Sequence, residues 1–219
     1  MAYVTPGTVT AGDVATAAAW NVLTNDIIQI AGLAQGVFTN EAAREAAITS
    51  PTEGMIAYLT APTVPAATGA TTAVPTGVRT VYNGSVWVCV TPVGANSDTS
   101  GTTTSTSYVT TLTGDATAVS VTLVTGTTAH IMMNTTAANS TSGTNVYLAY
   151  SVSGASTVTA AAATECVFTC PSAGGIQSPA RAYIITGLTA GTNTFTLNYR
   201  VSANTGTYTH RQITVSGVA

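Results

Sequence analysis

The stretch NTFTLNYRVSANTGTYTHRQITVS, Asn193–Ser216, contains two runs of β-branched and aromatic residues around the turn-forming letters ANTG. In the first run, Phe195, Leu197 and Tyr199 alternate with polar residues. Alternation with a period of two is typical of a strand that has one buried and one exposed face. The stretch therefore predicts two strands separated by a turn.

Six further segments before this stretch have the same strand character. Turn signals such as TGD, TSGTN and LTAGTN separate many of them. The segments are SYVTTLT, TAVSVTLV, TAHIMMN, NVYLAYSVS, TECVFTC and ARAYIIT. About eight strands in this region favour a C-terminal antiparallel β-sandwich over 108–219, for which a jelly roll is the natural eight-stranded form.

A small β-hairpin module is predicted over 50–95. In TVYNGSVWVCV, Thr80–Val90, the pair Asn83-Gly84 predicts a two-residue type I′ turn between two strands. An isolated hairpin is marginally stable, so GMIAYL, Gly54–Leu59, is expected to add a third strand. The intervening segment is rich in proline, which predicts a loop or an extended arm. NSDTSGTTTSTS, 96–107, is predicted to be a Ser/Thr/Gly linker.

The first 49 residues predict an N-terminal helical segment for attachment or oligomerisation. Trp20, Leu23, Ile27 and Ile30 recur at spacings of three and four, which is the a/d repeat of a coiled-coil seam. A helix over 16–35 with only two heptads is marginal alone, so the seam favours packing against other copies or docking on a surface. The alternative is an ordinary amphipathic helix packed on its own domain.

A second, shorter helix is predicted in TNEAAREAAI. It begins near Thr39 and ends before Ser50-Pro51, because a proline disfavours the α conformation in the residue before it. The complete sequence therefore predicts a mainly β protein: a short helical segment, a small hairpin module and a sandwich.

Charged residues make up only 6% of the chain, against about 25% in an ordinary soluble domain. The 5 basic residues are all arginine and the net charge is −3, so the sequence offers no basic stripe for a nucleic acid. No segment reaches the roughly 18 apolar residues of a membrane span, and no signal sequence is visible. A surface with so few charges favours permanent assembly, in which much of it is buried against other copies.

Candidate chemical groups are few. Asp115 and Glu165 are a possible carboxylate pair of the glycosidase type, although Asp115 lies in a TGDAT turn, where aspartate is common. His130 and His210 are the only histidines, and no metal-binding spacing accompanies them. We therefore expect no enzymatic activity, no metal and no cofactor.

Arginines, tyrosines and cysteines allow two interpretations each. Exposed together, the arginines could hold sialyl or phosphate groups; the alternative is ion pairs at subunit contacts. The tyrosines are sugar-stacking platforms or half-buried packing residues. The cysteines are small buried hydrophobes, with Cys166–Cys170 pairing as the alternative. The sets are Arg181, Arg200, Arg211; Tyr147, Tyr150, Tyr183, Tyr199, Tyr208; and Cys89, Cys166, Cys170.

Three parts of the sequence resemble structural proteins of tailed-bacteriophage virions. TPGTVTAGDVATAAAWNVLTNDI, which contains Asn21, resembles the opening of such proteins. SPTEGMIAYL and TVYNGSVWV are similar to a small module of phage fibre and decoration proteins, and the C-terminal third is similar to their exposed sandwich heads. The recognisable letters of the module are Gly54, Tyr58, Tyr82, Asn83, Gly84 and Trp87.

This resemblance implies a non-enzymatic, multi-copy virion component, a trimeric fibre or decoration protein. Its N-terminal part would attach it to other virion proteins of the capsid or tail, and its sandwich would be displayed on the virion surface. The alternative is a receptor-binding adhesin, a tail fibre that recognises a host cell-surface glycan.

Overall fold

The structure is a computed structural model that describes residues 36–219. The predicted helix over 16–35, with Trp20, Leu23, Ile27 and Ile30, lies outside the described residues.

Within these residues the chain forms strands almost throughout, with one short α-helix. The elements are β1 (Gly36–Phe38), α1 (Glu41–Ala47), β2 (Ile56–Leu59), β3 (Ala66–Thr68), β4 (Thr71–Ala73), β5 (Val78–Tyr82), β6 (Trp87–Cys89), β7 (Val93–Ser97), β8 (Gly101–Thr103), β9 (Ser120–Thr125), β10 (Thr128–Asn139), β11 (Asn145–Gly154), β12 (Glu165–Thr169), β13 (Ala180–Thr186), β14 (Gly191–Val201) and β15 (Gly206–Val218). A single 3₁₀ turn, Ala162–Thr164, precedes β12.

Two antiparallel sheets face each other. Sheet I has the order β13-β10-β15-β7-β4, with β8 also paired to β15, and sheet II has the order β12-β11-β14-β9-β3. From β7 onward, the eight strands other than the short β8 are arranged in the two sheets in the order of a jelly roll. In this antiparallel sandwich most strand edges are covered. The predicted fold class is confirmed.

Alternating residues of both sheets form one core. On β14, Phe195, Leu197, Tyr199 and Val201 are fully buried, as the period of two predicts. All but one of the eight predicted segments contain a strand. The exception is SYVTTLT, which makes only isolated bridges. β9 pairs with β14 as far as Thr196, and beyond that point Val109 forms a single bridge to Tyr199 of β14.

The jelly roll begins earlier than predicted. Its first strand is β7, inside the range assigned to the hairpin module, and β8 lies inside the predicted linker 96–107. Both strands pair with β15, so the Ser/Thr-rich segment belongs to sheet I and is not a linker. Threonine is β-branched and supplies strand propensity without apolar surface, which is why the composition resembled that of a flexible segment.

The proline-rich segment is extended, as predicted, but it is also paired. β3 adds to the edge of sheet II beside β9, and β4 adds to the edge of sheet I beside β7. Pro65 precedes β3 and Pro75 follows β4, positions at which no ladder hydrogen bond is lost.

The hairpin module forms a third sheet with the order β1-β2-β5-β6. β2 supplies the predicted third strand by pairing with β5. β1 then adds in parallel to β2, so within the described residues 36–49 belongs to this module. The predicted second helix is α1, and the Asn40 side chain caps it by accepting a hydrogen bond from the Ala43 amide at 3.0 Å.

The turn of the hairpin differs from the prediction. Tyr82 pairs with Trp87, so four residues form the loop where two were expected. Gly84 has a φ of 87°, but Asn83 does not have the positive φ that a type I′ turn requires. Its side-chain oxygen instead accepts hydrogen bonds from the amides of Ser85 at 3.1 Å and Val86 at 2.9 Å. An Asx turn therefore replaces the type I′ turn.

The hairpin is supported by the end of the sandwich. Leu59, Val78 and Cys89 from the third sheet join the main hydrophobic core. Val88 lies against two glycines of the sandwich, Gly126 and Gly217. The hairpin and the jelly roll therefore share one core.

A buried ion pair joins two strands of sheet I to the connection before β9. Arg211 of β15 is fully buried and pairs with Asp115, which also accepts a hydrogen bond from Ser97 of β7 at 2.5 Å. Burial opposes ionisation of Asp115, but hydrogen bonds from Ser97 and Thr117 and the charge of Arg211 outweigh it and lower the carboxyl pKa. Asp115 is therefore charged in the core at neutral pH.

A β-bulge turns Arg211 inward. Between the pairs Asn134–Gln212 and Thr136–Thr209, β15 has one residue more than β10. His210 absorbs the extra residue with a φ of 49°. Buried positions on β15 consequently change from even numbers before the bulge to odd numbers after it.

Replacing Arg211 with Met should lower the free energy of unfolding by about 3–5 kcal/mol, because Asp115 would remain as an uncompensated buried charge. Urea unfolding measures this change. The double variant Arg211→Met/Asp115→Leu should recover most of the loss, and Arg79→Met, at an exposed arginine, should change little. Equal stability of the two Arg211 variants would contradict this interpretation.

Gly217→Ala should destabilise the protein by about 1–3 kcal/mol through overpacking. Its new Cβ would lie 2.9 Å from the Cys89 carbonyl oxygen, which belongs to a paired strand. Gly94→Ala is the matched control, since its Cβ would meet no atom closer than 3.4 Å. A melting temperature of Gly217→Ala equal to that of Gly94→Ala would show that the hairpin is not closely packed against β15 at Gly217.

Candidate functional site

A cleft of about 490 Å³ lies where the third sheet meets the sandwich. Three parts of the fold form its walls: α1 with the segment after it, the β5–β6 hairpin, and the neighbouring ends of β9 and β14. The lining residues are Arg44, Glu45, Ile48, Thr49, Pro51, Tyr82, Ser85, Val86, Trp87, Val124, Gly191 and Thr192.

Arg44 is the central charged group of this cleft. It is only 4% exposed, and its guanidinium donates to the Thr80 hydroxyl at 3.3 Å and pairs with Glu45 at 3.2 Å. The guanidinium carbon lies 4.7 Å from the centroid of the Trp87 ring, in cation–π contact. Burial lowers the pKa of Arg44, and the charges of Glu45 and Glu41 only partly oppose this effect.

The aromatic residues of the module are also in the cleft wall. Tyr82 and Trp87 pair across the hairpin with ring centroids 5.4 Å apart and planes inclined by 54°. Trp87 is almost completely buried between Arg44 and the sheet, whereas Tyr82 is half-buried. Tyr82 is therefore the more accessible aromatic surface.

The other predicted module residues have structural roles. Asn83 and Gly84 belong to the hairpin loop described above, and a Cβ on Gly126 would lie only 2.7 Å from the side-chain nitrogen of Asn83, Nδ2. Tyr58 is outside the cleft, with its hydroxyl against Gly77. The structure thus brings together two of the predicted module residues, Tyr82 and Trp87, with Arg44, which the sequence analysis did not select.

The only local indication that Arg44 has a special role is that it is the single arginine in EAAREAA, a helix of otherwise small and acidic residues. Its contact with Trp87 spans 43 positions of the sequence, and nothing in the helix itself indicates that contact.

A second polar cluster lies on the outer face of sheet II. The Glu165 carboxylate accepts hydrogen bonds from the Tyr108 hydroxyl and from Arg200, the latter at 3.1 Å. Arg200 also stacks on Tyr147, with its guanidinium carbon 3.5 Å from the ring centroid. The Glu165 carbonyl accepts from Arg181 at 2.6 Å. The Glu165 carboxylate and carbonyl are thus held by groups of the same chain, whereas the Arg200 Nε is buried with no acceptor in the described residues.

Of the two interpretations of the arginines, the exposed cluster does not hold, because Arg211 is in the core while Arg181 and Arg200 both contact Glu165. The arginines form hydrogen bonds and ion pairs, here within the chain. The carboxylates Asp115 and Glu165 belong to these two separate ion pairs and do not face each other across a cleft. His130, paired with Ser216, lies in the regular part of β10, whereas His210 is at the bulge.

Most of the candidate tyrosines are packing residues. Tyr199 and Tyr208 are fully buried, with ring centroids 5.2 Å apart, and Tyr150 is nearly so. The Tyr208 hydroxyl donates to the Arg200 carbonyl at 2.5 Å. Desolvation raises the pKa of Tyr199 to about 12, so this residue stays protonated.

The three cysteines are free thiols, and two of them, Cys89 and Cys170, are buried. Burial raises the pKa of the Cys89 thiol to about 11, which makes it a poor nucleophile at neutral pH. Within 36–219, no group of three or more metal-binding side chains converges on one point. No helix in this part of the chain has the length and apolar character needed to cross a membrane.

No protein-family model matches the sequence, and no curated protein matches it. Solved structures align at low identity. A TNF protein, Eiger, from S. frugiperda is 12% identical with a TM-score of 0.41, covering 57% of this chain and 92% of that chain. Infectious bursal disease virus, Gt strain, gives 10% identity and a TM-score of 0.42, covering 64% and 43%.

The enzymatically active domain of tailspike protein 4 from bacteriophage CBA120 aligns at 13% identity with a TM-score of 0.27, over 56% of this chain and 19% of that chain. The present chain therefore spans less than half of the viral and the phage chains with which it aligns. At these identities and scores the likenesses do not bear on function.

Asn83→Ala should lower the free energy of unfolding by about 1 kcal/mol, because the Ser85 and Val86 amides would lose their side-chain acceptor. Asn83→Asp keeps an acceptor oxygen and should lose less. Urea unfolding of the two variants measures the difference. A loss as large for Asp as for Ala would show that the Asx turn does not stabilise the hairpin.

Proposed function

We propose that this chain is a non-enzymatic structural component of a tailed-phage virion, a fibre or decoration protein present in many copies. Copies associate as trimers, the N-terminal part attaches to the capsid or tail, and the sandwich is displayed on the virion surface. The sequence resemblance supports the phage assignment, and one feature of the sandwich supports association of copies.

That feature is the outer surface of sheet I, here called the uncharged face. Its outward positions on five strands carry no arginine, aspartate or glutamate in the described part of the chain. They are Thr71, Ala73, Gly94, Asn96, Thr128, His130, Met132, Asn134, Ala180, Ala182, Ile184, Thr186, Gln212, Thr214, Ser216 and Val218. Exposed sheet faces of soluble domains normally carry charged residues.

Large apolar side chains are exposed on this face. Met132 is 53% and Ile184 is 70% exposed, and they lie on the adjacent strands β10 and β13. Covering such a side chain contributes about 1.5–3 kcal/mol. Other copies are suitable partners, because uncharged faces gathered around a three-fold axis meet without leaving a charge unpaired.

The outer face of sheet II has the opposite character. It carries Arg200 and Glu165 as well as the Tyr147 ring. The two faces of one sandwich therefore differ in charge, which supports burial of the first and exposure of the second.

The double variant Met132→Glu/Ile184→Glu should reduce the oligomer to smaller species in sedimentation velocity, because each copy would add two carboxylates to the surface that it buries against the others. Val167→Glu is the matched control: Val167 is an exposed apolar residue on sheet II, and its variant should keep the native mass. The N-terminal contribution is tested in the same way with Leu23→Asp/Ile27→Asp. An unchanged mass for both double variants would overturn the proposed assembly.

A second function, that of a receptor-binding adhesin recognising a host cell-surface glycan, is supported by the cleft beside Arg44. It has the size of a small-ligand site and combines an aromatic ring with a buried cation. Retention of the purified protein on host envelopes, and its loss after glycan removal, tests this function.

A further inference from the structure

Arg44 is a buried cation with an incomplete set of hydrogen-bond partners. A guanidinium has five N–H donors, and the Arg44 Nε is buried with no acceptor in the described residues, as are the Nε atoms of Arg200 and Arg211. The counter-charge distinguishes Arg44. Its only ion-pair partner in the described residues is Glu45, whose side chain is 66% exposed and therefore screened by water, whereas the carboxylates that pair with Arg200 and Arg211 are 12% and 6% exposed. A buried charge without a buried counter-charge is costly, so an anion beside Arg44 would be stabilised.

The shape of the cleft limits what this anion can be. At about 490 Å³ it has room for much more than a simple ion, and it lies in the range of small-ligand pockets. Its walls combine the half-buried Tyr82 ring with apolar groups of Pro51 and Val124 and the hydroxyls of Ser85 and Thr192. A sugar ring offers the matching surfaces, an apolar face and a hydroxyl-bearing edge.

We propose that the cleft binds a carboxylate-bearing sugar, a hexuronate, with its carboxylate beside Arg44 and its ring against Tyr82. This inference rests on the second function proposed above and names its ligand class. It does not depend on the uncharged face, because Met132 and Ile184 are not among the residues that line the cleft.

Isothermal titration calorimetry of the full chain with sodium D-glucuronate tests the ligand class. We expect saturable binding with half-saturation in the millimolar range, as befits a single sugar ring. D-Glucose, which lacks the carboxylate, and sodium acetate, which lacks the ring, should each bind at least ten-fold more weakly. No saturable heat with glucuronate, or equal binding of either control, overturns the proposal.

Variants on the cleft wall separate binding from folding. Glu45→Gln should tighten glucuronate binding several-fold, because it removes the carboxylate that competes for Arg44, and its exposed side chain is not needed for the fold. Arg44→Gln should weaken binding at least ten-fold. Arg79→Gln makes the same change in net charge at an exposed arginine that does not line the cleft, and it should bind like the native chain.

Thr192→Tyr provides a test that leaves every charge in place. Thr192 is exposed and lines the cleft, so the larger side chain should fill the space and abolish binding without unfolding the protein. Unchanged or weaker binding by Glu45→Gln, or native affinity of Thr192→Tyr, overturns the proposed site. Sedimentation of the same samples reports assembly separately, so failure of this site and failure of the oligomer are distinguishable.

Discussion

The core of the sandwich encloses two opposite charges, Arg211 and Asp115, and neither can be left there without the other. An isolated charge is costly inside the core, so both partners must be in place when the sheets close. Asp115 comes from the connection between β7 and β9, and Ser97 of β7 binds the same carboxylate. The pair therefore ties the long polar connection to the first and last strands of the jelly roll. A segment with the composition of a linker thus has a fixed path.

The bulge at His210 makes this ion pair possible, and it also limits what alternation alone can predict. In TYTHRQITVS a strand with an unbroken period of two would place Tyr208, His210 and Gln212 on the same face. The extra residue instead leaves Tyr208 and Arg211 both buried. The existence of seven strands and the jelly roll could be predicted from local patterns. Which face of β15 is buried after the bulge could not, because that depends on a carboxylate almost a hundred positions earlier in the chain.

The same distinction between local and distant information applies to the hairpin module. Its strands and the helix α1 follow from nearby residues, but the register of the hairpin does not, because the Asn83 side chain forms an Asx turn and Tyr82 pairs with Trp87. The boundaries of the module do not either, because the module is stabilised by two glycines of the sandwich, Gly126 and Gly217, that admit Val88. The cleft was missed for a related reason: α1, the hairpin and β14 form it jointly, and no single motif contains Arg44 together with its aromatic partner.

The scarcity of charge has a structural explanation once its distribution is known. Three of the 5 arginines are engaged in ion pairs in distinct places: the core, the outer face of sheet II and the cleft. Arg181 is held by the Glu165 carbonyl, so Arg79 is the arginine least engaged by other groups in the described residues. Few charges remain on the surface to repel other protein molecules, and the outward positions of sheet I carry no arginine, aspartate or glutamate. Threonine and serine hydroxyls tolerate either water or another uncharged surface. The described charges therefore lie away from the outward positions of sheet I, and this is the distribution that the proposed association through that face requires.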